Sequence, residues 1–314
     1  MTNQKWDGIS KSTKAVWAGE EETFFEGAAQ VPIINSVSYN HDDVDEWLEV
    51  ALGKREGHIY SRNTNPTVKV FEEKMRVLED AEAATSFSTG MAAISNILFT
   101  LLSPGQRVVS VKDTYGGTSI VFMEHLPRFD INVTMCETHD QDAIEAETLN
   151  GCDLLYLETP TNPTMKVLDL KRLIAAGKKA GAIIVVDNTF ATPINQNPLA
   201  LGADLVVHSA TKFIGGHSDA LGGIVCGRED LVNKIYGFRE INGATLDANS
   251  AYLLLRGLKT LKLRIECQNS NAMALAQFLE THEKVDKVFY PGLKSDPAHD
   301  IAKAQMSGFG GMLS

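Results

Sequence analysis

Five short runs rich in Val, Ile and Leu, at 107–111, 131–135, 153–158, 182–186 and 204–208, are separated by stretches long enough for a helix. Unbroken β-branched runs of this kind read as strands buried on both faces, and strands separated by helices build parallel βαβ units. The arrangement predicts an α/β fold: a mainly parallel sheet covered on both sides, three layers deep. Before this series, Phe71, Met75 and Leu78 recur at helical spacing from Thr67. A second helix is expected from Met91 through Ile94, Ile97 and Leu101 to the stop signal Pro104-Gly105. A further helix is expected over 171–180.

The ends of the chain read differently. Residues 1–60 show little sustained periodicity, which suggests an arm lying against something else, and one long helix is expected from Tyr252 to about His282. A strand at 287–290, a Pro291-Gly292 turn and a last segment resembling a strand follow. With 314 residues, the chain exceeds what one core usually supports, so two unequal lobes are expected. We place them at 61–255 for the large lobe and 256–314 for the start of a small α+β one, with 1–60 as the arm.

Composition narrows the function classes. A net charge of −11 argues against a nucleic-acid partner, whose phosphates need clustered cations. Apolar runs such as 182–186 fall far short of the ~20 residues of a membrane span, and no apolar segment follows Lys5 as in a signal peptide. The protein is therefore expected in the cytoplasm, away from membranes. Four scattered cysteines without a C-x-x-C pair suggest neither disulfides nor zinc, and no H-E-x-x-H is present, so no metal is expected.

In open α/β sheets ligands bind at the carboxyl ends of the strands, and here those ends are polar. Asp187-Asn188, Glu158-Thr159-Pro160-Thr161-Asn162 and His208-Ser209-Ala210-Thr211-Lys212 each follow or end an apolar run. Any one of these residues could simply cap a helix; three polar strand ends converging point to chemistry. Ser209 and Thr211 stand three and one residues before a lysine, Lys212, and are suitable donors to phosphate oxygens. Ser88-Thr89-Gly90-Met91 opens a helix whose unpaired N–H groups form a second anion site. With Tyr115 before Gly116-Gly117, these parts suit pyridoxal phosphate, which needs a lysine for its aldehyde, an anionic partner for its ring nitrogen and a ring to stack on. Neither G-x-G-x-x-G after a strand nor the P-loop signature is present.

The chain resembles the Cys/Met-metabolism family of pyridoxal-phosphate enzymes, which includes cystathionine γ-synthase, cystathionine γ-lyase and methionine γ-lyase. The resemblance is carried in order by 57–67, Ser88-Thr89-Gly90-Met91-Ala92-Ala93, Asp113-Thr114-Tyr115-Gly116-Gly117-Thr118, 158–163, Val186-Asp187-Asn188-Thr189 and 208–212. It implies a fold-type I transferase architecture with pyridoxal 5'-phosphate bound to Lys212, which also shuttles protons. Asp187 would pair with the ring nitrogen and Tyr115 would stack on the ring. Gly90, Met91, Ser209, Thr211 and Thr189 would contribute to the cofactor site, and Tyr60 and Arg62 would complete it from a neighbouring subunit of a homo-oligomer, usually a tetramer. Asn162 and Glu158 would lie near the ring oxygen or the amino-acid substrate, and Tyr115 or Tyr60 would serve as acid for the leaving group.

The implied reaction is γ-elimination or γ-replacement at the Cγ–heteroatom bond of a homoserine-derived amino acid. The alternatives are methionine γ-lyase-type degradation, an aminotransferase, and a cofactor-binding chain impaired in catalysis. Two positions depart from the family. Ser119-Ile120 stands where many cystathionine-type members carry an arginine for a distal carboxylate, and Gly117 stands where methionine γ-lyases typically carry cysteine. Family chains also usually continue past the Gly-Gly-Met-Leu-Ser ending, into a part holding the arginine for the substrate α-carboxylate, so the chain is expected to be truncated.

Overall fold

The computed structural model describes residues 3–20 and 27–314. Seven strands form one sheet: β1 (Ala83–Phe87), β2 (Arg107–Val111), β3 (Asn132–Cys136), β4 (Leu154–Glu158), β5 (Ile183–Asp187), β6 (Leu205–Ser209) and β7 (Gly223–Gly227). Their order across the sheet is β1-β7-β6-β5-β4-β2-β3. The five expected strands are all present, shifted by no more than a residue, and all pair in parallel. Of the two additional strands, β7 joins β6 antiparallel and β1 joins β7 antiparallel, so the sheet is mixed at one side. Their sequences hide them: Ala-Ala-Thr-Ser-Phe is weakly apolar, and Gly223 and Gly227 bracket β7 like turn residues.

Strand parity divides the core into two layers. Leu154, Tyr156, Val185, Leu205, Val207 and Val225 face one side, packed with Ile94, Ile97 and Leu98 of the helix Gly90–Leu101 and Leu231 and Ile235 of the helix Glu229–Asn242. Leu155, Leu157, Ile184 and Val186 face the other side, under the helix Leu170–Ala180. Ile224 and Cys226 face that same side beneath the helices Pro66–Leu78 and Ala248–Lys259. Burying a large aliphatic side chain is worth about 1.5–3 kcal/mol, and both sheet faces are lined with them, so the sheet is rigid where its polar ends emerge.

The expected long helix is two. Ala248–Lys259 ends at Thr260, whose backbone leaves the helical region (φ −109°, ψ 4°), and Leu261–Glu280 begins directly after it. The Gly257 carbonyl is taken by the Thr260 hydroxyl at 3.3 Å and by Arg264 at 2.8 Å, which closes the first helix. Residues 287–290 do not form the expected strand. Phe289 instead exchanges backbone hydrogen bonds of 2.7 and 3.1 Å with Ser314 alone.

Part of the expected arm packs on its own chain. The helix Lys11–Trp17 lies against Pro66–Leu78, where Lys74, fully buried, donates to Glu20 at 2.8 Å and to the Val16 carbonyl at 2.7 Å. The helix Val44–Ala51, by contrast, buries none of its residues. No helix among the described residues is long and apolar enough to cross a membrane.

Candidate active site

A cleft of about 920 Å³ opens at the carboxyl ends of β4, β5 and β6. The register pairs Glu158 with Asp187, and alternation along each strand places Glu158, Asp187 and Ser209 on the face that carries the helix Gly90–Leu101. Gly90, Met91, Tyr115, Glu158, Asn162, Asp187, Thr189, Ser209, Thr211 and Lys212, ten of the twelve residues singled out in the sequence, line this one cleft. Tyr60 and Arg62 do not. Arg62 lies over the Tyr60 ring at 5.4 Å and donates to the Glu240 carbonyl at the end of the helix Glu229–Asn242.

One wall is the start of the helix Gly90–Leu101. Thr89, in extended conformation, caps it by accepting from Ala92 N at 3.0 Å, which leaves the N–H groups of Gly90 and Met91 for another acceptor. Glycine at 90 permits the approach: a Cβ there would stand 2.6 Å from Ser209 Cβ. The positive end of the helix and the Ser209 and Thr211 hydroxyls therefore meet at one place, which suits a phosphate.

The floor is acidic. Asp187 accepts at one oxygen from Thr189 N (3.0 Å) and Thr189 Oγ1 (2.6 Å), and at the other from the buried Tyr156 hydroxyl (3.2 Å). The Thr189 hydroxyl also accepts from Ser209 N at 2.9 Å, so it ties the ends of β5 and β6. Glu158 accepts from Tyr115 N at 2.8 Å and from Asn162 N at 2.9 Å, which fixes both loops to the strand end. Burial pushes the proton affinity of Asp187 up despite these donors, and burial together with the neighbouring Asp187 pushes Glu158 up to about 8.

The charge pattern is thus an anion cradle at one end, two buried carboxyls with raised proton affinity at the floor, and the Lys212 amine at the rim. A ligand with a phosphate at one end and a protonatable ring nitrogen at the other matches it, since the ring cation would keep Asp187 ionised where water no longer can. Tyr115, whose side chain is nearly half exposed at the cleft, offers an aromatic face. The residues present therefore fit pyridoxal phosphate.

Several participants escaped the sequence reading. Tyr156 sits inside β4 and reaches Asp187 only because the two strands lie in this register. A tyrosine in an otherwise aliphatic buried strand was the available signal, since its hydroxyl needs a partner. Phe190, Phe213, Leu221 and Met312 add apolar surface to the cleft, and Ser218, with φ +59°, and Asp219 add polar groups at the rim.

Comparison with known proteins shows what the chain as a whole is similar to. The chain is 41% identical over 308 residues to cystathionine gamma-synthase 1, chloroplastic, of Nicotiana tabacum, matching 97% of this chain and 57% of that one. It therefore spans little more than half the length of this relative. It is 40% identical to L-methionine gamma-lyase of Fusobacterium nucleatum subsp. polymorphum, over 96% of this chain and 77% of the relative. Among solved structures, cystathionine gamma synthase from Xanthomonas oryzae pv. oryzae in complex with cystathionine superposes with a TM-score of 0.91 and 37% identity, covering 97% of this chain and 77% of that one. The profile of the Cys/Met metabolism PLP-dependent enzymes matches residues 12–314, and the chain belongs to that family.

Proposed function

We propose that this protein is a pyridoxal-phosphate enzyme that breaks or remakes the Cγ–heteroatom bond of homoserine-derived amino acids, by γ-elimination or γ-replacement. The observation that carries the reading is the meeting, in one cleft, of the Lys212 amine, the buried Asp187 carboxyl and the start of the helix Gly90–Leu101. The cofactor, when bound, supplies an electron sink that stabilises negative charge at the substrate α-carbon.

The chain's own residues do the rest. Lys212 holds the cofactor aldehyde at rest and, once freed by substrate, moves protons among Cα, Cβ and Cγ. Asp187, oriented by Thr189 and Tyr156, keeps the proton on the ring nitrogen. Gly90 and Met91 N–H groups with the Ser209 and Thr211 hydroxyls hold the phosphate, and Tyr115 covers the ring and protonates the leaving group. Glu158 orients Tyr115 and Asn162 near the substrate. Tyr60 and Arg62, which lie away from their own cleft, serve the site of a neighbouring copy. The domain division at 61–255 and 256–314 belongs to the same reading, with Thr260 close to its boundary.

Elimination is favoured by the make-up of the cleft. Among the described residues lining it, this chain supplies one cationic side chain, Lys212, and Ser119-Ile120 stand where many cystathionine-type members carry an arginine, which suits a γ-substituent without a distal carboxylate. Gly117 separates the site from the methionine γ-lyase pattern: a Cβ there would stand 2.9 Å from Met91 Sδ and 3.0 Å from Tyr115 Cε1. The test is incubation of the cofactor-loaded protein with methionine, cystathionine or O-acetylhomoserine, with and without an added thiol such as cysteine, measuring 2-oxo acid release and thiol consumption. Oxo-acid release supports elimination, thiol consumption supports replacement, and neither product from any of the three contradicts the reading.

A further inference from the structure

On the face of the sheet opposite the cleft, Glu79 and His208 form a pair in which both side chains are fully buried, with His208 Nε2 2.6 Å from Glu79 Oε1. Glu79 follows the helix Pro66–Leu78. Its carboxyl also accepts from Asn188 Nδ2 at 3.4 Å and Asn197 Nδ2 at 3.3 Å. His208 Nδ1 is buried without a hydrogen-bond partner. An unpartnered N–H there would be costly, so Nε2 is the ring nitrogen that donates, to Glu79.

The partners of Glu79 are the immediate neighbours of the site residues. Asn188 follows Asp187, and His208 precedes Ser209. Adjacent residues of a strand point to opposite faces, so fixing Asn188 and His208 on one side sets the direction of Asp187 and Ser209 on the other. Asn188 is further held by Gln196, which donates to Asn188 Oδ1 at 2.9 Å and accepts from Asn188 Nδ2 through its carbonyl at 2.9 Å. On the cleft side the Thr189 hydroxyl joins Asp187 to Ser209; behind the sheet Glu79 joins Asn188 to His208. A buried carboxylate is an expensive way to make such a bridge, since desolvation opposes it, and its place behind the site gives it a function.

We propose that Glu79 and His208 are positioning residues: a clamp behind the sheet that holds the ends of β5 and β6 so that Asp187 and Ser209 present their groups to the cofactor together. The clamp rests on the cofactor reading above. Its test uses pyridoxine 5'-phosphate, which has the ring nitrogen and phosphate but no aldehyde, so that binding is independent of Lys212.

His208→Phe should bind this probe roughly tenfold more weakly, which corresponds to about 1.4 kcal/mol, and should lower the share of bound probe that absorbs as the nitrogen-protonated form. His208→Gln, which restores a donor towards Glu79, should recover most of the affinity. In an Asp187→Asn background, His208→Phe should cost less than in the wild type, because only its effect through Ser209 remains. Wild-type affinity and spectrum in a folded His208→Phe protein, or fully additive losses in the double variant, would overturn the clamp. Should His208→Phe not fold, Glu79→Gln carries the same test, with weakened binding expected and unchanged binding and spectrum overturning it. Failure of the wild-type protein to bind the probe would sink the cofactor reading itself, a result distinct from wild-type binding that the substitutions leave untouched.

Discussion

Glu158 and Asp187 are register partners at the ends of adjacent parallel strands, with both carboxyl groups buried at the floor of one cleft. Two carboxylates so placed cannot both ionise cheaply. The arrangement stores an unfavourable charge that a cationic ligand would relieve, and it links cofactor binding, stability and pH.

Without cofactor, Glu158 takes up its proton more readily folded than unfolded, at about 8 against an ordinary 4.5. A raised value of this sign stabilises the fold below about pH 4.5, and the stabilisation is lost as pH rises through about 8. Glu158→Gln should therefore gain stability relative to the wild type between pH 5 and pH 9, by an amount on the order of a few kcal/mol. Thermal or urea unfolding of both cofactor-free proteins across that range measures it; a constant difference would contradict the expectation. Asp187, shifted in the same direction by burial, adds a dependence of the same sign to both proteins.

Gly90→Ala should displace the helix start from β6. The added Cβ would meet Ser209 Cβ at 2.6 Å, and overpacking of this kind costs about 1–3 kcal/mol. Cofactor affinity should fall by more than tenfold, because the N–H groups of Gly90 and Met91 move with the wall; equilibrium dialysis would show it.

Thr189→Val keeps the shape and removes a hydroxyl that donates to Asp187 and accepts from Ser209 N. Leaving these groups short of a partner costs about 1–3 kcal/mol. Weaker cofactor binding is expected, with an absorbance shift towards the form lacking the ring-nitrogen proton. Wild-type binding and spectrum would show that Thr189 is not needed to orient Asp187.

Arg62→Ala should loosen cofactor retention although Arg62 does not line its own cleft. Mixing Arg62→Ala with Lys212→Ala protein should restore part of the activity, since one of the two sites in a mixed pair would then carry both intact residues. No recovery after subunit exchange would contradict the shared site.

Much of this site was legible because its residues stand where general rules look: Asp187 and Lys212 after buried strands, Gly90 and Met91 at a helix start. Tyr156 was not, because its role depends on which residue of β4 lies beside β5, and register is a property of the folded sheet. β7 was hidden by its flanking glycines, and β1 by its small residues. The break at Thr260 escaped notice because apolar residues continue at helical spacing on both sides of it, while the capping contacts to Gly257 come from Thr260 itself and from Arg264. The pairing of Glu79 with His208 joins residues 129 positions apart, which no local pattern reports.

In the proposed enzyme Lys212 holds the cofactor, so borohydride reduction of the cofactor-loaded protein followed by peptide mapping should find a pyridoxyl group on Lys212 that is lost in Lys212→Ala. A pyridoxyl group on another lysine, or none, would contradict that assignment.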